Sequence, residues 1–263
     1  MIEWYRLEDH LALLSSRRVM RYVLLWCTEG QACIKVDENE FQLLPNDIIT
    51  ITSGQIHFLQ LNSSAKGIVL EFSYDFFCKT DADIELIFHN GLFCHFGMNE
   101  VVSVGNRPVM TQLFENIQAD LCQKPYQYLI AVHAYLELLL VKINRAKIER
   151  GDEIWKPDAL FLKFLEIVRA HFKKAPTLQL LAEKLQTTEA KLNELAKLHT
   201  GKTAQMIIYG LIASEAKRLL IYEKLSVKEV AAELGFNDPF YFSNFFKKHT
   251  GLSPKGYREK VVA

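Results

Sequence analysis

The chain has 263 residues, of which 49% are hydrophobic and 24% are charged, which fits a globular protein with two domains of ordinary size. No apolar run approaches the roughly 18 residues that span a bilayer, and residues 1–6 lack the pattern of a signal peptide. We therefore expect a cytoplasmic protein with no membrane partner. The five cysteines are scattered, without CxxC pairs or zinc-type spacing, so we expect reduced thiols, no metal and no cofactor.

The formal net charge of zero conceals an uneven distribution. Residues 1–155 contain 13 Lys and Arg against 20 Asp and Glu, whereas residues 156–263 contain 18 against 11. Because DNA is a polyanion, the basic half is the candidate for binding it. The alternative is a chance difference between two solvated surfaces, and the size of the difference favours the first explanation.

Residues 1–105 have the pattern of a β structure. Short apolar runs at residues 21–26, 32–36, 47–51 and 67–72 alternate with turn residues. Several short strands about ten residues apart are typical of a β sandwich or barrel, and we predict a barrel.

Between residues 107 and 148 the apolar period changes to that of a helix. Leu113, Ile117 and Leu121 predict one helix, which Pro125 ends. The second helix has an apolar stripe formed by Leu129, Val132, Leu136, Leu139, Leu140 and Ile143. The stripe can pack against the barrel or form a dimer surface, and we expect it to contribute to a homodimer.

Residues 156–263 have the pattern of an all-α domain. The predicted helices are residues 158–174, 177–185, 188–200, 204–223, 227–234, 239–250 and 254–260. Ser226 and Glu229 have the spacing of a capping box. Asp238 precedes a proline at the first helical position. Gly201 and Gly251 each follow a helix and can stop it in the left-handed conformation.

The α half contains an internal repeat. Residues 181–185 match residues 230–234, and residues 192–201 match residues 242–251, with one more residue in the second turn. Each copy predicts a helix-turn-helix, whose second helix enters the major groove of DNA. The connecting helix at residues 204–223 would be roughly 30 Å long, close to the roughly 34 Å between half-sites one DNA turn apart.

Residues 235–258 resemble the signature of the AraC/XylS family of bacterial transcription regulators, as do residues 216–220 and 230–236. The N-terminal half is similar, at Trp26 and residues 54–57, to the cupin-like sensor domains of that family. The resemblance implies a regulator that binds double-stranded DNA. It also implies a small-molecule effector, a homodimer, and contact with RNA polymerase if the protein is an activator.

The predicted fold class is α+β with two domains. Residues 1–150 would form a cupin-like β barrel with a helical pair at residues 107–148, and residues 156–263 an all-α double helix-turn-helix domain. An effector or a partner chain would favour one arrangement of the domains and so change DNA affinity. Trp26 and His57 are the candidates for lining an effector pocket.

On the second reading helix, the inward stripe is expected to be Phe242, Phe245 and Phe246. The resemblance implies base-reading positions at Pro239, Phe240, Ser243 and Asn244. Asn can pair bidentately with adenine, and an aromatic ring can contact a thymine methyl, although Phe240 could instead be a packing residue. Lys247 and Lys248 are expected to hold phosphates.

On the first reading helix, the matching positions are Ala190, Lys191, Asn193, Glu194 and Lys197. Glu194 can accept from a cytosine amino group but repels phosphate. Gln186 replaces the glycine that many family members have in the turn. The first helix-turn-helix is therefore expected to read few bases or mainly to position the protein on DNA.

Two alternatives remain open. A cupin-type enzyme would hold a metal, but His57 is a lone histidine, and His89, Cys94 and His95 lack a fourth ligand. No nucleophile elbow, P-loop or GxGxxG motif supports an enzyme. A DNA-binding protein without an effector would have a barrel packed solid with side chains.

Overall fold

The computed structural model describes residues 1–60, 65–88, 92–93, 99–105, 107–152, 158–171 and 176–262. The chain divides into two compact units, Met1–Pro157 and Asp158–Ala263. His89, Cys94 and His95 lie outside the described residues. None of the described helices has both the length and the apolar composition needed to cross a membrane.

The strands of the first unit belong to two antiparallel sheets. They are Ile2–Arg6 (β1), Arg17–Arg18 (β2), Tyr22–Glu29 (β3), Ala32–Val36 (β4), Asn39–Leu43 (β5), Asp47–Ile51 (β6), Ile56–Leu59 (β7), Lys66–Phe72 (β8) and Val101–Ser103 (β9). The five-stranded sheet has the order β1-β8-β3-β6-β9, and the four-stranded sheet has the order β2-β7-β4-β5.

The sheets form a sandwich rather than the closed barrel that we predicted. Within the described residues, no strand ladder joins one sheet to the other. The edge strands β2 and β9 have only two and three residues, too few to supply a continuous ladder across the gap. The alternating apolar pattern is the same in both architectures, so the sequence could not separate them.

Strand β3 shows how the apolar residues are divided between two layers. Val23, Leu25 and Cys27 belong to the cluster buried between the sheets. Because side chains alternate along a strand, Leu24 and Trp26 project from the other face. These residues are also buried, since helices cover that face. The sheet is therefore apolar on both sides.

Two helices of the first unit lie between β8 and β9 in the chain, two longer helices follow β9, and one short turn lies between β1 and β2. That turn is the 3-10 helix Leu11–Leu14, and the helices are Tyr74–Phe77 (α1), Asp81–Phe88 (α2), Arg107–Gln123 (α3) and Tyr128–Glu149 (α4). The predicted stripe on α4 lies in the core of the unit. Five of its six members are fully buried, and Leu129 is 44% exposed. The stripe therefore packs within its own unit, and our expectation that it forms a dimer surface is wrong for those five residues.

The second unit contains the helices that the apolar period predicted. They are Ala159–His171 (α5), Leu178–Lys184 (α6), Glu189–Thr200 (α7), Ala204–Ile221 (α8), Val227–Glu233 (α9), Pro239–Thr250 (α10) and Pro254–Val262 (α11). The end of the first predicted helix, at residues 172–174, lies outside the described residues. The connecting helix α8 ends two residues before the predicted boundary, which gives it a length of about 27 Å.

The capping predictions are confirmed. Ser226 Oγ accepts from the Glu229 N–H at 3.2 Å, and Glu229 Oε2 accepts from the Ser226 N–H at 2.7 Å. Gly201 and Gly251 end α7 and α10 with φ of 70° and 82°. These local bonds explain why the helix boundaries follow the sequence closely.

The turns of the two helix-turn-helix units begin with the same backbone geometry. In the first, the Gln186 and Thr187 N–H groups donate to the carbonyls of Glu183 and Ala182. In the second, the Gly235 N–H and the N–H of the next residue make the corresponding bonds. This is the Schellman arrangement, whose central residue is left-handed. Gln186 has φ 53° where Gly235 has φ 75°, so only the first turn carries a side chain in this conformation.

We expect Gln186→Gly to raise the free energy of unfolding of the second unit by about 0.5 kcal/mol. The variant removes a left-handed side chain, worth roughly 1–2 kcal/mol, but increases the entropy of the unfolded chain. Gly235→Gln should lower the free energy of unfolding by about 1 kcal/mol. Urea denaturation measures both changes.

The control is Ala232→Gln, at an exposed helical position close to the second turn. This substitution adds the same side chain without a positive φ, so little change is expected. Equal destabilisation by Gly235→Gln and Ala232→Gln would show that the left-handed conformation is not the cause.

Candidate nucleic-acid interface

The second reading helix, α10, is fixed by its cap and by its inner face. Asp238 Oδ1 accepts from the Phe240 N–H at 2.9 Å, and Pro239 follows the cap as the first helical residue. Phe242 and Phe246 are fully buried, as predicted. Phe245 is only half-buried.

Phe245 forms part of a partly exposed aromatic cluster. Its ring centroid is 5.5 Å from that of Tyr209 on α8, 5.1 Å from that of Phe236 and 4.6 Å from that of His249. The cluster joins the reading helix to the connecting helix. Its contacts with α8 limit rotation of α10 about its own axis.

The outer face of α10 presents the polar and basic residues that the sequence singled out. Asn244, Lys247 and Lys248 are exposed. Phe240 is 80% exposed, so packing within its own unit does not explain it. Pro239 and Ser243 are half-buried. Ser243 Oγ donates to the Pro239 carbonyl at 2.8 Å, which leaves the hydroxyl oxygen able only to accept from another donor.

Tyr241 is an exposed residue that the sequence reasoning missed. Its side chain is 67% exposed beside that of Phe240. Tyr241 lines a cleft of about 620 Å³ together with Tyr209, Phe236, Asn244 and Lys248. The signal in the sequence was its position three residues before Asn244 and seven before Lys248, which places all three on one helical face.

The first reading helix, α7, has fewer polar groups free to contact a ligand. Asn193 is half-buried, and its Oδ1 accepts from the Ala204 N–H at 3.0 Å, which joins α7 to the start of α8. Lys191 and Glu194 are exposed but form an ion pair at 2.8 Å. Ala190 and Lys197 are exposed.

The structure does not bring Trp26 and His57 together. Trp26 faces the helical layer, fully buried, with its ring stacked on that of Phe114 at a centroid distance of 5.0 Å. His57 is also fully buried, but it shares the inner face of β7 with Leu59, which belongs to the cluster between the sheets. The two candidates therefore lie on opposite sides of the five-stranded sheet.

No group of three His, Cys, Asp or Glu side chains in the described part of the chain has a geometry that could hold a metal ion.

Two protein-family models match the chain. Residues 14–136 match the model described as an AraC-like ligand binding domain, and residues 181–260 match a helix-turn-helix domain. The chain belongs to the AraC family of transcription regulators. The second match includes both reading helices, α7 and α10, and the first spans most of the sandwich with α3.

Curated members of this family are similar to this chain over alignments of different lengths. The transcriptional activator RhaS from Escherichia fergusonii is 30% identical over 121 residues, 46% of this chain and 43% of that protein. The arabinose operon regulatory protein from Escherichia coli is 24% identical over 240 residues, 90% of this chain and 80% of that protein. The alignments with RhaS and with the transcriptional activator RhaR from Enterobacter sp. span about half of the length of those proteins, 43% and 55%. Among solved structures, ToxT from Vibrio cholerae is 14% identical, with a TM-score of 0.45 and coverage of 100% of this chain and 96% of that chain.

His57 should make the stability of the first unit depend on pH. Burial lowers the pKa of His57 from 6.5 to about 4, although the Gln55 carbonyl, which accepts from Nδ1, opposes the shift. The folded state therefore holds a neutral ring. Its contribution is fully present above pH 6.5 and is lost as the pH falls towards 4, by about 3 kcal/mol at most.

The measurement is denaturation of wild type and His57→Gln between pH 4 and 7, followed by tryptophan fluorescence, since all three tryptophans lie within residues 1–157. We expect the stability advantage of wild type over the variant to shrink as the pH falls. A constant difference in the free energy of unfolding across this range would mean that the pKa of His57 is not lowered.

Proposed function

We propose that this chain is a sequence-specific DNA-binding regulator of transcription, not an enzyme, and that a small molecule bound in its first unit modulates its activity. The observation that carries the proposal is the outer face of α10, where Asn244, Lys247 and Lys248 are exposed over a buried phenylalanine pair. DNA as the target implies action in the cytoplasm. If the protein is an activator, RNA polymerase is a further partner.

The two reading helices have different roles in this proposal. On α10, Asn244 reads a base, and Phe240 contacts a thymine methyl or a sugar. Pro239 and Ser243 lie against the same groove, and Lys247 and Lys248 hold phosphates.

On α7, Ala190 allows close approach of the helix and Lys197 contributes charge. The pairing of Lys191 with Glu194 and the bond from Ala204 to Asn193 limit base reading there. The first helix-turn-helix therefore mainly positions the protein on DNA, and the second helix-turn-helix supplies most of the sequence specificity.

The direct test is selection of bound sites from a random double-stranded DNA library by the full chain. We expect a consensus with one strongly specified half-site and one weakly specified half-site, roughly one helical turn apart. Recovery of no consensus would contradict the proposed function.

Asn244→Ala should lower affinity for the selected site by about 1–3 kcal/mol and affinity for random DNA by much less, because a lost base contact affects only the correct sequence. Lys247→Ala should weaken both about equally and reduce the slope of log K against log salt by about 0.9. Fluorescence anisotropy at several salt concentrations measures both quantities.

The control for charge is Lys255→Ala, at an exposed lysine on α11 that belongs to neither reading helix. We expect it to change neither specificity nor the salt slope appreciably. If Asn244→Ala reduced specific and random binding in the same proportion, Asn244 would not be a base-reading residue.

A homodimer is part of the proposal, but through a different face of α4 from the buried stripe. Ile130 is 63% exposed and Leu138 is 42% exposed. Ala134, also exposed, lies between them at four-residue spacing on the same helical face. Tyr126, 92% exposed, precedes the helix. Such an apolar face suits a two-fold contact, in which the same patch is used by both copies.

Leu138→Glu should raise the dimer dissociation constant at least tenfold, because it places two like charges in the apolar contact, one from each copy. Sedimentation velocity over a range of concentrations measures this constant. The control is Leu11→Glu, at a residue of the same unit that is 74% exposed. A wild type that stays monomeric at tens of micromolar, or an equal effect of the two variants, would contradict a dimer through α4.

A further inference from the structure

The two copies of the helix-turn-helix repeat agree beyond the ends of the reading helices. Continued past the glycine that ends each reading helix, the repeat pairs Thr203 with Ser253. Thr203 Oγ1 accepts from the Met206 N–H at 3.3 Å, and Ser253 Oγ accepts from the Gly256 N–H at 3.1 Å. The same type of cap therefore begins the helix that follows each reading helix, α8 in the first copy and α11 in the second.

The next position differs between the copies, because it is Ala204 in the first and Pro254 in the second. Both residues are buried. Ala204 has a backbone N–H, which at the first position of a helix has no acceptor within that helix. Asn193 on α7 supplies the acceptor, with its Oδ1 3.0 Å from the Ala204 nitrogen. Proline has no N–H, so the second copy needs no acceptor at this point.

The residue that corresponds to Asn193 in the repeat follows the same difference. In the second copy it is Ser243, whose Oγ donates to the Pro239 carbonyl at 2.8 Å. This bond lies within one turn of α10 and does not reach the next helix. Because Pro254 has no N–H to donate, Ser243 cannot make the bond that Asn193 makes. The first copy therefore has a polar link between its reading helix and the following helix that the second copy does not need.

The second reading helix is held by aromatic packing where the first has this hydrogen bond. Phe246 on α10 contacts Tyr257 on α11, with ring centroids 5.5 Å apart. The matching residues of the first copy are Ala196 and Ile207, which are also buried but smaller. Aromatic pairs have preferred packing angles, whereas the alanine methyl group restricts rotation of a helix much less. The orientation of α7 against α8 therefore depends more strongly on its hydrogen bond.

The bond lies where it can control the direction of α7. Asn193 lies inside α7, whereas Ala204 is the first residue of α8. The bond thus adds a second attachment to the chain connection at residues 201–203. Two attachments restrict the angle between two helices more than one connection does. Because each reading helix enters its own groove in the proposed complex with DNA, this angle also sets the distance between the half-sites that the protein fits.

We propose that Asn193 is a positioning residue that sets the spacing of the two half-sites, and that it reads no base itself. By holding α7 at a fixed angle to α8, it fixes the distance and the rotation between the two reading helices. One base pair more or less between the half-sites displaces them by about 3.4 Å and about 34°. A hydrogen bond does not keep its geometry through such a displacement. The inference rests on the DNA binding proposed above.

The test uses the DNA site selected by wild type and two altered sites, with one base pair removed or inserted between the half-sites. A fourth DNA carries the strongly specified half-site alone, within random sequence. Fluorescence anisotropy with the full chain measures the dissociation constants. We expect wild type to bind the selected site at least about tenfold more tightly than either altered site. Equal affinities for these three sites would overturn the inference.

Asn193→Ala removes the acceptor, so α7 can follow a displaced half-site. We expect the dissociation constants for the three spacings to come within about threefold of one another. Affinity for the half-site alone should stay within about twofold of wild type, because α10 is unchanged. A variant that keeps the spacing preference of wild type would overturn the inference, whether or not its preference for a particular base changes.

Asn193→Asp separates positioning from base reading. A carboxylate oxygen still accepts from the Ala204 N–H, but it cannot donate to a base as an amide does. We expect this variant to retain the spacing preference of wild type within about threefold. Repulsion between the added charge and DNA affects the three sites equally, so it cancels in their comparison. Loss of the preference in folded Asn193→Asp would overturn the inference.

Ala204→Pro combined with Asn193→Ala copies the second helix-turn-helix at this point and separates positioning from stability. Asn193→Ala alone leaves a buried N–H without an acceptor, so the melting temperature of the second unit should fall by about 5 °C. The double variant has no such N–H, and Thr203 is already extended, with ψ 156°, as the residue before a proline should be. We expect the double variant to recover the melting temperature but not the spacing preference.

Thermal melting followed by circular dichroism reports the stability of each variant. Recovery of both properties in the double variant would show that stability alone determines the spacing preference, and would overturn the inference. If Asn193→Ala does not fold, the double variant carries the test, because it lacks the same link between α7 and α8.

The control is Gln179→Ala on α6. It removes a side-chain amide that donates to Glu183 Oε1 at 3.0 Å within the same helix. We expect neither the spacing preference nor the melting temperature to change appreciably. A loss of spacing preference equal to that of Asn193→Ala would show that the bond to Ala204 is not the cause.

The wild-type measurements separate the failures of the two proposals. Sequence-specific DNA binding whose spacing preference does not depend on Asn193 would overturn only this inference. The absence of any sequence preference in DNA binding would overturn the proposed function as well.

Discussion

Burial of Phe242 and Phe246 is the constraint on which the exposed face of α10 depends. Both rings are fully buried, and burying a phenylalanine side chain is worth about 1.5–3 kcal/mol. Because a helix repeats every 3.6 residues, fixing these two side chains inward also fixes Asn244, Lys247 and Lys248 outward. The contacts of Phe245 with Tyr209 then relate this orientation to the connecting helix.

The two helix-turn-helix units have the same backbone plan but different outer faces. Both turns use the same pair of hydrogen bonds to end the first helix, although one has Gln186 where the other has Gly235. In the first helix-turn-helix, the Asn193 side-chain oxygen accepts a hydrogen bond from the Ala204 N–H. In the second helix-turn-helix, Asn244 is exposed. In the repeat, Asn244 corresponds to Glu194, so the position that holds an ion-paired glutamate in the first copy holds an exposed asparagine in the second.

In the first unit, the alternation of side chains along each strand separates two environments. Residues facing the helices, such as Trp26, pack against aromatic rings, while those between the sheets are mainly aliphatic. The polar end around Glu71 is the exception within the inner layer. Its ion pair with Arg17 joins the two sheets where no strand ladder among the described residues does so.

The sequence by itself determined the helices of the second unit, their caps and the internal repeat. Helix caps involve residues only a few positions apart, such as Ser226 with Glu229, or a single residue that ends a helix, such as Gly251. They can therefore be recognised from the spacing of residues in the sequence. The inward stripe of α10 follows from the same short-range period. The resemblance of residues 235–258 to a family signature depended on these local features.

Only the tertiary structure decided what depends on residues distant in the chain. A sandwich and a closed barrel share one alternating pattern, and the difference lies in which edge strands pair. The stripe on α4 predicted an apolar contact but not its partner, and folding buried most of it in the core. His57 and Trp26 lie on opposite sides of a sheet because strand register, set by partners far along the chain, assigns each side chain to a face.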